Sequence, residues 1–216
     1  MFDWLINGMA YALDFIYNIV GNYGLAIIIF TLLIKIVLYP LTAKQTRSMR
    51  EMQEIQPEMK KIQEEFDDDK EKQQEAMMEL YQEHGVNPAA GCLPMIVQMA
   101  ILIPLYRTIF ALGEKMASES FLWIGTITNG SLAEPDIAIV LLNALVMLGQ
   151  TYMTQKISGG EGQSNKMMYL MPLFIVFIGF SLPAGVLLYW FTSTLFTVGQ
   201  QYFLSKEPSR IKGDAE

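Results

Sequence analysis

Thr31, Lys35 and Tyr39 stand four residues apart in the apolar run from Gly24 to Pro40. Four-residue steps bring side chains to one face of a helix, and the run is long enough to cross a bilayer. A cation is thus held at membrane depth with polar neighbours one turn above and one turn below. A lysine near the centre of a span costs about 2.5–3.5 kcal/mol on insertion scales. Either Lys35 snorkels toward the interface on the Pro40 side, or it faces a water-filled cavity inside a helix bundle. The aligned Thr31 and Tyr39 favour the cavity. The chemistry open to such a site is electrostatic: an anionic or polar guest is attracted, and no bond is made.

Other apolar stretches carry polar residues at helical spacing. Gln98 lies in one; Asn143, Gln150 and Thr154 share a face of another, with Gln155 at its end; Trp190, Ser193, Thr197 and Gln200 or Gln201 form a stripe in a third. Any one of these serves as well for hydrogen bonding between helices. Together with Lys35 they suggest a shared hydrophilic chamber. No acidic residue within the spans can pair with Lys35, whereas cation-coupled transporters usually need one. Arg107, toward a span end, is accounted for by snorkelling.

The chain is 52% hydrophobic, its mean hydropathy is +0.28, and its formal net charge is −7. Apolar residues fall in blocks, which marks a membrane protein. One cysteine, Cys92, excludes an internal disulfide. His84 has no cluster at metal-ligand spacing. Nucleophile motifs, phosphate loops and zinc signatures are lacking, so an enzyme is not expected, nor a metal or cofactor.

The elements that must position these residues are helices throughout: an all-α integral membrane protein with about five transmembrane helices, a cytoplasmic antiparallel helical hairpin and an N-terminal interfacial helix. Residues 1–20 form the amphipathic helix, with Leu5, Met9, Leu13 and Ile16 on one face and Asp3, Asn7, Tyr11 and Asp14 on the other. Residues 21–41 are the first span, 42–86 the hairpin and 87–112 the second span. Residues 113–136 form an outer loop, in which Phe121 and Trp123 suit the membrane interface. The third span is 137–156, a flexible loop follows at 157–166, the fourth and fifth spans are 167–181 and 182–204, and 205–216 is the tail. Basic residues follow spans one, three and five, so the positive-inside rule puts the N-terminus outside and the C-terminus in the cytoplasm. In the hairpin, Met49, Met52, Ile55, Met59, Ile62 and Phe66 form a seam. Met77 and Tyr81 mark the second arm, and Pro57 should disturb the first. Met52, Met59, Phe66, Met77 and Tyr81 could form an adaptable docking face for partners. The hairpin's acidity disfavours direct contact with nucleic acid.

Four stretches carry a family resemblance: Ile34–Thr42 with Lys35, Tyr39 and Pro40; Gln56-Pro57; Asn87-Pro88 through Gly91-Cys92, Pro94 and Gln98; and Leu182-Pro183 through Gly185, Tyr189 and Trp190. Together, in this order, they resemble the YidC/Oxa family of membrane protein insertases, in its short bacterial five-span form. The resemblance implies a groove open to cytoplasm and lipid and closed outside, in a bacterial plasma membrane. The family's groove cation is usually arginine; here Lys35 keeps the charge without bidentate geometry. Thr31, Tyr39 and Trp190 match positions associated with groove and substrate, with Tyr189 in the same motif; Gln98 and Gln155 are weaker matches. Implied partners are nascent membrane proteins, the lipid bilayer and the Sec translocon, with signal recognition particle components and the ribosome as further candidates. The competing readings are a small anion transporter or channel at Lys35, and a chaperone that packs helices already inserted.

Overall fold

The computed structural model describes residues 3–87, 93–117, 119–124, 130–158 and 176–206, the side chains of 94, 95 and 155–158 excepted. Most of the expected fourth span, the expected loop from 159 to 166, the 88–92 approach with Cys92, and the tail beyond 206 lie outside those residues. Every regular element described is helical: α1 (Asp3–Val20), α2 (Tyr23–Glu54), α3 (Gln56–Glu65), α4 (Lys70–Glu83), α5 (Leu93–Ala111), α6 (Gly113–Ala117), α7 (Ile137–Ser158) and α8 (Ala184–Leu204).

Local chemistry sets the boundaries. Gly21 takes a positive φ of 69° between α1 and α2, a conformation that suits glycine. Asn22 then caps α2, its side chain accepting from the Leu25 N–H at 3.2 Å. Contrary to the expected boundary at residue 41, α2 runs on through Pro40 for 32 residues. The break comes at Ile55, with Pro57 in the first turn of α3, where its missing N–H does no harm. Asp69 caps α4 by accepting from the Lys72 N–H. Gly85 ends α4 at φ 60°, and the Val86 N–H reaches back to the Tyr81 carbonyl at 2.9 Å. Val86 thereby joins Ile55 and Leu80 in a small core that holds α3 against α4.

The main core lies at one end of the bundle. It joins Met9, Leu13 and Ile16 of α1 to Tyr23, Ile27 and Phe30 of α2, to Leu105 and Ile109 of α5, and to Leu187 and Tyr189 of α8. We call this the α1 end. The opposite, basic end carries Arg47, Arg50 and Lys206. α1 is thus packed against α2 and α5, and its outward side is less polar than expected: Trp4, Tyr11, Phe15 and Ile19 form an exposed stripe.

Two helices, α2 and the Ile137–Thr154 part of α7, are long and apolar enough to cross a membrane; the apolar stretch of α5, Ile96–Ala111, is shorter. The α7 stretch is only 17% buried, so it is no soluble core helix. Leu141, Leu145, Leu148 and Tyr152 line its exposed face, as Ile96, Met99, Ile103, Tyr106 and Phe110 line that of α5. Continuous outward apolar stripes of this kind fit lipid as the surrounding medium.

Candidate functional site

α2 and α8 form the most extensive helix pair, and their contact changes character along its length. Near the α1 end it is apolar. Past Thr31 it becomes a polar seam. Thr31 is 1% exposed and satisfies its hydroxyl on the Ile27 carbonyl at 2.6 Å. Lys35 Nζ donates to Thr197 Oγ1 at 3.3 Å. Two turns on, Gln200 Nε2 donates to Thr42 Oγ1 at 2.9 Å, and Arg50 then donates to the Leu204 carbonyl at 3.3 Å. Among the described residues, the ion pairs present do not include Lys35.

Tyr39 leaves this seam: it is 42% exposed. Each four-residue step overshoots a full turn by about 40°, so Tyr39 has rotated some 80° from Thr31, whereas Thr42, seven residues beyond Lys35, returns to its line. Thr42 stood in the sequence only as part of a motif, and Thr197 and Gln200 only in a stripe; a seven-residue step from Lys35 would have singled out Thr42.

The remaining expected groove residues divide. Tyr189 is 1% exposed, and its hydroxyl lies beside Gln98 and Ser193 without hydrogen-bond geometry. That hydroxyl and Gln98 Nε2 are both enclosed and unpartnered. An unmet buried polar group costs about 1–3 kcal/mol, so this pair marks a place that water or a guest would stabilise. Trp190, next in the chain after Tyr189, is half-buried. Asn143 donates to the Ile139 and Leu187 carbonyls at 2.9 and 3.0 Å, tying α7 to α8 while 2% exposed. Gln150 is half-buried on α7, and the Gln155 side chain lies outside the described residues.

In the α3–α4 pair, Met52, Met59 and Tyr81 pack inward on the Ile55–Leu80–Val86 core. The Tyr81 hydroxyl meets Met59 Sδ at 4.0 Å. Phe66 and Met77 are half-buried, and Met78, 53% exposed, is the apolar side chain presented outward. Among the described residues, no group of three His, Cys, Asp or Glu side chains could hold a metal.

The α1 end is closed. Phe121, expected at the membrane interface, is instead 8% exposed in the core, with its ring on the backbone of Gly24, where a Cβ would fall inside the ring. Gly185 lies against Ile27 and the Leu132 carbonyl, each 3.2 Å from where its Cβ would stand. Tyr17 stacks on Tyr23 with centroids 4.1 Å apart. Tyr17 donates to Glu119 at 2.6 Å, Tyr23 donates to Asp14 at 2.6 Å, and Lys115 pairs with Asp14 at 2.6 Å. Burial pushes the Asp14 carboxyl up, but the Lys115 and Tyr23 hydrogen bonds outweigh it and hold the group below its ordinary 3.8. The hydrogen bond to Glu119 pushes the Tyr17 hydroxyl up.

The family described as 60Kd inner membrane protein matches residues 15–211. The membrane protein insertase YidC of Fusobacterium nucleatum is 42% identical over 211 residues, covering 96% of this chain and 98% of the relative. The YidC of Neisseria gonorrhoeae is 37% identical over 213 residues, 98% of this chain but 38% of the relative. A solved structure of an active YidC insertase, with its first transmembrane domain resolved, superposes with a TM-score of 0.77 at 29% identity, over 94% of this chain and 47% of that one. The chain thus spans nearly all of one relative and about half or less of the others. An apolar exterior, a polar seam closed at one end and these likenesses agree, and the chain belongs to the 60Kd inner membrane protein family.

Proposed function

We propose that the chain is a membrane protein insertase of a bacterial plasma membrane, with the α1 end outside, the basic end in the cytoplasm and five spans, α3 and α4 forming a cytoplasmic hairpin. The observation that carries the reading is Lys35: a cation at membrane depth whose recorded partner is a hydroxyl, in a seam closed toward α1. A substrate's polar or acidic tail enters from the cytoplasm and is drawn to Lys35. The unpartnered Gln98 and Tyr189 groups and the Thr42–Gln200 contact exchange with the tail and with water. The substrate's apolar segment meanwhile slides along the exposed faces of α7 and α8 into lipid. Apolar burial, with about 2.3 kcal/mol per charge per 100 mV of membrane potential, drives the step, and the chain hydrolyses no nucleotide. The hairpin receives substrates or touches Sec translocon and signal recognition particle components.

The test is insertion of a single-span substrate with an acidic tail into proteoliposomes, read by protease protection. Activity retained in Lys35→Arg and lowered on the order of tenfold in Lys35→Ala and Lys35→Glu is expected, the loss of one charge-assisted contact. Equal activity in all four proteins would remove Lys35 from the mechanism. Chloride flux in the same vesicles without insertion would move the reading to an anion channel.

A further inference from the structure

A shallow groove, open to solvent, lies at the basic end, between the last turns of α8, α7 and the extension of α2. Its wall includes Arg47, Arg50, Gln53 and Gln201 on the polar side, and Met49 and Leu204 on the apolar side. The depth of this groove is set by α2. From Tyr23, a hydrocarbon layer of about 30 Å takes about 20 residues at 1.5 Å each and ends near Thr42. Arg47 then stands about 7 Å farther out, inside the headgroup layer. Lys206, on the next turn of the same rim, lies 4.3 Å from the centre of the Tyr202 ring.

We propose that this groove binds the phosphate of an anionic phospholipid, with Arg47 and Arg50 holding the phosphate and Met49 and Leu204 receiving the start of an acyl chain. Arginine's planar fork matches phosphate oxygens, and basic pockets between spans at a membrane surface suit anionic headgroups. Arg50 is held in place by the Leu204 carbonyl and by Glu54 Oε1 at 3.4 Å, so its guanidinium is oriented before a ligand arrives. Glu54 also opposes an anion there, which gives the proposal a signed prediction. The site lies at the basic end of the same α2–α8 seam, beyond Lys35 and the Thr42–Gln200 contact, and rests on the membrane reading but not on insertase activity.

The test uses the full chain, purified in detergent and stripped of lipid, with phosphatidylglycerol or phosphatidylcholine titrated in and bound lipid counted by native mass spectrometry. One phosphatidylglycerol is expected to bind in preference to phosphatidylcholine. Arg47→Gln should weaken it about fivefold and Arg47→Gln with Arg50→Gln about twenty-five-fold, at about one factor of five per surface arginine. Glu54→Gln should strengthen it. Lys44→Gln, an exposed charge on the same helix outside the groove wall, should leave it nearly unchanged. Circular dichroism checks the fold, and Arg47→Lys, which keeps the charge, covers the case in which the double variant fails to fold. Phosphatidylglycerol binding that survives Arg47→Gln, or that falls equally with Lys44→Gln, would overturn the proposal in favour of diffuse surface attraction. Competition by millimolar inorganic phosphate, with no dependence on the acyl chain, would overturn the lipid and leave a free-phosphate site.

Discussion

The two halves of the α2–α8 contact follow opposite rules. Toward α1 the helices meet through Ile27, Gly185 and Leu187, with Phe121 pressed onto Gly24 and no room for one added carbon. Toward the basic end the same helices meet through Lys35–Thr197 and Thr42–Gln200, long side chains touching tip to tip. One half is jammed and dry; the other is polar and held by a few exchangeable contacts. The difference teaches that one helix pair is tightly packed at one end and loosely polar at the other; if the polar half is the proposed path, a mutation should disturb either stability or insertion depending on which half it strikes.

The strongest way to break this contrast is Gly24→Leu. The new side chain must evict Phe121, and overpacking at a jammed site costs about 3 kcal/mol or more. A large fall in Tm, with new labelling of an α1-side cysteine probe at Ser120, is the expected outcome; an unchanged Tm would mean that the closed end is soft. Gly185→Val comes next. Its added atoms press on Ile27 and on a backbone carbonyl, so about 1–3 kcal/mol is expected, read by thermal unfolding in detergent. In the polar half, Gln200→Leu and Thr197→Val should each cost about 1 kcal/mol, the net worth of one hydrogen bond, with a correspondingly smaller fall in Tm, yet slow insertion in the proteoliposome assay. A Tm loss as large as that of Gly185→Val would erase the distinction between the halves.

The smallest effect is a pH dependence at the α1 end. The Asp14 carboxyl lies below its ordinary 3.8 in the folded protein, so its pairing with Lys115 and Tyr23 stabilises the fold above that value. The contribution is lost as pH falls through the lowered folded value. Thermal stability should therefore decline more steeply below about pH 4 in the wild type than in Asp14→Asn, the two curves converging in acid.

Much of the architecture was legible because it is written in periodicity. The apolar blocks, the Met52–Ile62 seam that runs from the end of α2 into α3 and the Gly21-Asn22 turn each follow from local pattern. The course of α2 through Pro40 did not, because an exposed proline can be tolerated within a long helix whose neighbours hold it. Phe121 was misplaced for a different reason: an aromatic residue in a loop looks alike whether it meets headgroups or plugs a core, and only the missing Cβ of Gly24 decides. At the site, Lys35 and Thr31 were visible from four-residue spacing, while Tyr39 and Thr42 exchanged places through the slow rotation that this spacing accumulates. Asn143 looked like a groove group by composition; its two carbonyl partners show it tying α7 to α8.

The threonines of the seam have a kinetic consequence. Thr31, Thr42, Thr46 and Thr197 each direct a hydroxyl hydrogen to the carbonyl one turn back in their own helix. Their hydrogens are thereby turned back on their own helices, while the Thr42 and Thr197 oxygens accept from Gln200 and Lys35 and Thr31 is buried. On the proposed reading, a carboxylate passing these threonines meets no donor from them and is held only where Lys35 and the unpartnered Gln98 and Tyr189 groups stand. Dwell time would then be governed by those few contacts, and the proposed groove would release many different tails rapidly instead of binding any one of them tightly.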